Sequence, residues 1–180
     1  IGEMPYLNSE IFYLNRVSDF EYIKLTPKKM GVSISDKKIN AGPISLVDFI
    51  KSKNLKLLNN YCVSTKKSAN SVFLFSKNKI ENIEDIYITD ETSTSVMLLK
   101  TLNHFYWKKN NIIFQTKDSN CKSKLIIGDS ALKMLNNNDF IYKYDLGFEW
   151  NNLTGLPFVF ALWAYNNLRN IDLNKLENSI

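Results

Sequence analysis

The 180-residue sequence predicts an α/β protein built as two small lobes. Short β-branched or aromatic runs alternate with helical patterns through hydroxyl- or glycine-bearing turns, which is the logic of βα units. Two runs, Ser71–Ser76 and Phe158–Leu162, are apolar throughout, as strands passing through the centre of a molecule are. Two lobes joined by such strands would gather the turns at Asn8, Ser45, Ser71, Thr94 and Asp129 around one cleft.

Taken in order, residues 1–7 read as a first strand that Pro5 shortens, 10–15 as a short helix and 20–25 as a second strand. Thr26-Pro27 opens a helix through Met30 and Ile34 toward Lys38, with proline at its first helical position. A strand over 39–44 contains Gly42-Pro43, which mark a close approach of backbone. Ser45 then stands at the mouth of a helix. Residues 55–64 read as one or two strands, and 86–89 as another. The helix that follows keeps an apolar period at Val96, Leu99, Leu102, Phe105 and Tyr106, the mark of a buried face. Strands follow at 112–115 and 124–127, the latter running into Gly128-Asp129-Ser130 and a helix through Leu135. Residues 148–153 form an amphipathic segment, 155–164 a strand entering a helix, and 166–180 a polar, loosely docked helical tail.

Composition excludes several classes. No run approaches the roughly 18 apolar residues of a membrane span. Net charge is +5, carried almost wholly by scattered lysines, with arginine only at 16 and 169. That pattern favours a small anionic ligand over a nucleic-acid groove. Cys62 and Cys121 lack metal-ligand spacing, and His104 is the single histidine, so no metal site or histidine triad is expected. The opening residues do not form a secretory signal, so a cytoplasmic protein is expected. The chain begins with Ile1, which leaves a removed leader open. The oligomeric state is not legible.

The stretch Thr92-Ser93-Thr94-Ser95 puts four hydroxyls in a row where a strand passes into a helix. A helix start exposes backbone N–H groups and a partial positive charge, and hydroxyls add donors there. One residue suffices for an N-cap, so the surplus points to an anionic ligand. Asn8 and Ser9 are open to the same two readings, as a cap or as a ligand contact.

Read together, these motifs resemble a known family. They are Tyr6-Leu7-Asn8-Ser9, Ser71-Val72-Phe73-Leu74-Phe75-Ser76, Thr94-Ser95, Ile127-Gly128-Asp129-Ser130, Tyr144-Asp145-Leu146-Gly147, and Trp150 through Ala161. In this order they resemble the chorismate dehydratases of the futalosine route to menaquinone. The likeness runs from about Ile1 to Ala164. It implies a type II periplasmic-binding-protein-like fold, with lobe I over 1–70, lobe II over 71–157 and a return to lobe I over 158–180. The hinge strands are expected near 71–76 and 157–162. It also implies a cofactor-free lyase that removes water from chorismate to give 3-[(1-carboxyvinyl)oxy]benzoate. Asn8 matches the family's strand-end asparagine and Ser71 its hinge-strand serine. Thr94 and Ser95 match a pair that holds a ligand carboxylate in a related synthase. Ser9, Ser45 and Asp129 complete the expected substrate-binding set.

Dehydration of chorismate forms an aromatic ring, so the site mainly has to position groups. With no histidine or cysteine at the expected site, the base is a carboxylate. It comes from Asp90, Glu91, Asp129 or Asp145, or from the enolpyruvyl carboxylate of the substrate held by Asn8 and Ser71. For Asp129 and Asp145, capping or a structural hydrogen bond is the competing reading. Trp150, Phe158 and Trp163 are expected in the core rather than as a ligand platform. Two other functions fit the same residues: a binding protein or sensor that leaves its carboxylate ligand unchanged, and a related enzyme acting on another cyclic carboxylate.

Overall fold

The structure, a computed structural model, describes residues 1–118 and 120–180, with backbone alone at 59 and 60. The chain forms two compact units. The first comprises Ile1–Val63, Glu91–Thr94 and Val159–Ile180, and the second Ser64–Asp90 and Ser95–Phe158.

In the first unit, β1 (Gly2–Glu3) pairs parallel with β2 (Ile23–Lys24). The second strand is much shorter than the expected 20–25, because the ladder can be no longer than its two-residue partner. Between them Leu7–Tyr13 is a 3-10 helix, earlier and tighter than the expected 10–15. Helix α1 (Pro27–Ser35) starts at Pro27 as its sequence requires, and buries Met30 and Ile34 completely. Strand β3 (Ala41–Ser45) leads directly into α2 (Leu46–Lys51). The main sheet has the order β3-β10-β4, with β4 at Lys56–Thr65 and β10 at Phe158–Tyr165. Pro43 is tolerated because β3 is an edge strand, paired only through its antiparallel ladder to β10.

Gly42 meets the close approach its sequence signalled. A Cβ there would lie 3.1 Å from the Gly2 carbonyl oxygen and 2.5 Å from Met30 Sδ. The sheet separates two apolar clusters, one around Tyr13, Leu58, Trp163 and Leu176, the other around Met4, Met30, Ile34 and Ile44. Two expectations for the C-terminal part are corrected. The apolar run ending at Ala164 stays extended through Tyr165, because it is the central strand of its sheet. The tail is not loosely docked: α6 (Asn170–Glu177) packs Leu176, 1% exposed, into the cluster that holds Trp163.

The second unit is a five-stranded sheet of order β7-β6-β8-β5-β9. Its strands are β5 (Val72–Ser76), β6 (Asp85–Ile88), β7 (Ile113–Gln115), β8 (Ser123–Ile127) and β9 (Tyr142–Asp145). β6 runs parallel to β7 and β8, whereas β5 is antiparallel to both β8 and β9. The apolar run of β5 predicts its burial, and all five residues are buried. Its direction follows from the connections at either end, which a hydrophobic pattern does not encode.

Helix α3 (Ser93–Leu102) continues into a π turn over Asn103–Trp107. Leu98, Leu99 and Leu102 are buried, but Phe105 is 62% and Tyr106 37% exposed. The expected buried face therefore ends at Leu102. The wider π turn rotates the two rings off it. Helix α4 spans Gly128–Met134, and α5 spans Leu146–Thr154. α5 stops at Gly155, whose φ of +71° is the left-handed C-terminal conformation that glycine adopts without a Cβ penalty.

Candidate functional site

The residues expected at the site fall into two groups, one in each unit. Asn8, Ser9, Ser45 and Thr94 belong to the first unit, and Ser71, Ser95 and Asp129 to the second.

In the first unit, the fully buried Ser45 closes β3 and the buried Thr94 lies in the first turn of α3. Their hydroxyls are 2.5 Å apart and hydrogen-bonded. Each also accepts a backbone N–H from the helix the other residue introduces. Thr94 N donates to Ser45 Oγ (2.9 Å), and Val47 N, in α2, donates to Thr94 Oγ1 (3.1 Å). The two residues have exchanged caps. Ser45, expected at the mouth of α2, caps α3; Thr94 caps α2. Two hydroxyls carry two protons, and one is consumed in the bond between them. Whichever oxygen donates, one O–H remains for a further acceptor, beside two helix starts.

The same four-residue segment has two more anchors in this unit. The Glu91 carbonyl accepts Lys28 N in the first turn of α1 (3.1 Å), and its carboxylate accepts the Tyr6 hydroxyl (2.7 Å). The Tyr6 carbonyl in turn accepts Ser9 N (2.9 Å), inside the motif that carries Asn8. Ser9 is fully buried, and its hydroxyl donates to Asn8 Oδ1 at 3.3 Å. Ser9 thus orients its neighbour, and the Asn8 amide is exposed. Asn8, Ser9, Thr94 and Ser45 lie along one connected path. Tyr6 links its two halves. A lone tyrosine two residues before an asparagine carries no local signal of a partner 85 positions away.

In the second unit, Ser71 precedes β5 and its carbonyl accepts Gly128 N (2.8 Å). The β5–β8 register, Val72 opposite Ile127, brings Ser71 beside Gly128-Asp129. Gly128 has φ +61°, which turns the chain from β8 into α4. Asp129 is half-buried at that turn. The Ser71 hydroxyl makes one long bond, to the Ala69 carbonyl at 3.4 Å. Ser95 is 3% exposed in α3.

Asp145 resolves toward structure. Its Oδ1 accepts Ala69 N (2.9 Å), Gly147 N (2.9 Å) and Phe148 N (3.0 Å), and Oδ2 accepts Asn70 N (2.7 Å). A carboxylate so engaged is a cap and a clamp rather than a base. Trp163 is a core residue, 0% exposed. Trp150 packs edge-on against Phe158 at 5.2 Å. Among the described residues, no group of three or more histidine, cysteine, aspartate or glutamate side chains is placed to hold a metal ion. Among the same described residues, no helix is long and apolar enough to cross a membrane.

The chain is 25% identical to a chorismate dehydratase of Thermus thermophilus, over 92% of its own length and 69% of that enzyme. It is 31% identical to a chorismate dehydratase of Campylobacter jejuni, over 82% of its length and 54% of that enzyme. The chain therefore spans between about half and two thirds of these curated relatives. Among solved structures it resembles protein AF1704 of Archaeoglobus fulgidus, with a TM-score of 0.73 at 11% identity, covering 99% of this chain and 73% of that one. It also resembles a nutrient-binding protein of Burkholderia cenocepacia bound to methionine, with a TM-score of 0.56 at 13% identity, covering 99% and 89%. These structures give the fold, which is the type II periplasmic-binding-protein-like arrangement. The family profile for menaquinone biosynthesis matches residues 1–178, so the chain belongs to the menaquinone biosynthesis family.

Proposed function

We propose that the protein is a chorismate dehydratase, a hydro-lyase that converts chorismate to 3-[(1-carboxyvinyl)oxy]benzoate and water. The observation that carries this reading is the exchanged cap, a buried hydroxyl pair with one proton to spare beside two helix starts. Such a group suits a carboxylate and adds no charge of its own. Chorismate carries two carboxylates, and one is assigned to the Ser45/Thr94 pair, with Ser95 next in the same helix.

On the family resemblance, we assign Asn8 and Ser71 to the enolpyruvyl carboxylate. Both are neutral donors, so they orient that group without quenching its basicity. The carboxylate takes the proton from the ether-bearing ring carbon. The C–H electron pair becomes a ring π bond, the bond to the ring hydroxyl breaks, and the proton just taken passes from the enolpyruvyl carboxyl to the departing hydroxide, which leaves as water. The substrate thus supplies its own base. The engagement of Asp145 with four N–H groups, and of Glu91 with Tyr6, supports this assignment. No cofactor is required by the reaction as written.

The test is incubation with chorismate, followed by absorbance and proton NMR. The aromatic product is expected, and Asn8→Ala or Ser71→Ala should lower turnover by about 100-fold, the scale of misplacing a reacting group. Full turnover in either variant would remove the assigned roles. Chorismate recovered unchanged, with saturable binding, would make the protein a carboxylate binder instead.

A further inference from the structure

The Asp145 carboxylate bridges two pieces of the second unit. Gly147 N and Phe148 N belong to the first turn of α5, so accepting them is ordinary N-capping. Ala69 N and Asn70 N belong to a different segment, the turn that delivers the chain to Ser71. Asn70 is left-handed there, with φ +59°, a conformation uncommon outside glycine. Its N–H makes the 2.7 Å bond to Oδ2. The Ala69 carbonyl is the acceptor of the Ser71 hydroxyl. Gly147 makes the junction tight: a Cβ there would sit 2.8 Å from Ala69 N and 2.9 Å from the Lys67 carbonyl oxygen. On its other side Ser71 is held by Gly128 N.

We infer that Asp145 is a positioning residue for the reaction, fixing the 69–70 turn so that the Ser71 hydroxyl is aimed and only weakly committed within the protein. This rests on the role assigned to Ser71 above. The four bonds divide the carboxylate's work. Oδ1 serves both the helix and the turn, while Oδ2 serves the turn alone. A residue with one acceptor oxygen can therefore keep the cap and lose the grip on Asn70.

The test is a double-mutant cycle on the full chain with chorismate as substrate, using Asp145→Asn and Asp145→Ser, each with and without Ser71→Ala. Serine retains an N-cap acceptor for α5, so it keeps the measurement available should the asparagine variant fold poorly. Each Asp145 variant is expected to lower kcat about 10-fold or more, with KM changed less than about threefold. In the Ser71→Ala background the same substitutions should lower kcat no further than about twofold, because the group they position is gone. Losses that multiply across the cycle would overturn the inference and leave Asp145 a structural cap. A Ser71→Ala variant with undiminished turnover would show a separate failure, that of the Ser71 role itself, and the inference would fall with it.

Discussion

Replacing Thr94 by valine removes one hydroxyl and keeps the β-branched shape of a side chain that is 2% exposed. Two bonds are lost, the one to Ser45 Oγ and the one from Val47 N. The first is worth about 1 kcal/mol net, and a buried N–H left without an acceptor costs about 1–3 kcal/mol. Thr94→Val should therefore destabilise the first unit by about 2–4 kcal/mol. Ser45→Ala should cost a similar amount, because it strands Thr94 N and breaks the same mutual bond. That shared bond is counted in both single variants but lost only once in the double. The double variant should thus fall short of the sum by about 1 kcal/mol. Urea titrations followed by far-UV circular dichroism measure this. With a slope of about 2 kcal/mol per molar, each single variant moves the midpoint down by about 1–2 M. A double variant additive to within about 0.3 kcal/mol would refute the exchanged cap, as would a Thr94→Val protein with an unchanged midpoint.

Tyr6→Phe removes the hydrogen bond to Glu91 and should weaken binding of chorismate, measured by calorimetry, more than it lowers the melting temperature. Gly147→Ala forces a methyl into backbone and should destabilise by about 1–3 kcal/mol in thermal unfolding. Burial pushes the Tyr13 hydroxyl well above the ordinary tyrosine range, while its oxygen accepts Met4 N. A raised folded pKa means that the folded state holds its proton longer, so this contribution is intact below about pH 10 and is lost as pH rises beyond it. Alkaline unfolding should accordingly begin at higher pH in Tyr13→Phe, relative to that variant's own neutral stability. Glu149 is likewise raised, chiefly by burial, against a Trp107 hydrogen bond that lowers it. Its contribution is present below the ordinary carboxylate range and falls as pH rises through it, so Glu149→Gln should flatten that part of the stability profile.

Much of the architecture is legible where the determining interaction is local. Thr26-Pro27 starts α1, Gly155 ends α5, and the five buried residues of β5 announce themselves by composition. The close approach at Gly42 is legible too, although not its partners, Gly2 and Met30. What escapes is pairing over distance. Ser45 reads as the cap of its own helix, yet its acceptor serves Thr94, 49 positions on. Asp145 reads as either a cap or a catalytic base, and only the fold shows its second pair of N–H groups. Phe105 and Tyr106 continue a helical period that the backbone abandons for a π turn. The residues of the proposed site are visible as types, a surplus of hydroxyls and an amide at chain turns, because anion recognition by neutral donors needs those types. Their division of labour is not, since a hydroxyl that caps and one that awaits a ligand look alike in one dimension.

Glu91–Thr94 is a four-residue splint borrowed by the first unit from a stretch otherwise given over to the second. The second unit can be cut out as the uninterrupted stretch 64–158 only by taking the splint with it, and the first cannot be cut out as one fragment. Trimming the chain at Val63 and Val159 would discard the splint together with the partner of Ser45. Dissection or permutation of this protein has to carry residues 91–94 along as a graft, or accept a first unit with two of its helices uncapped.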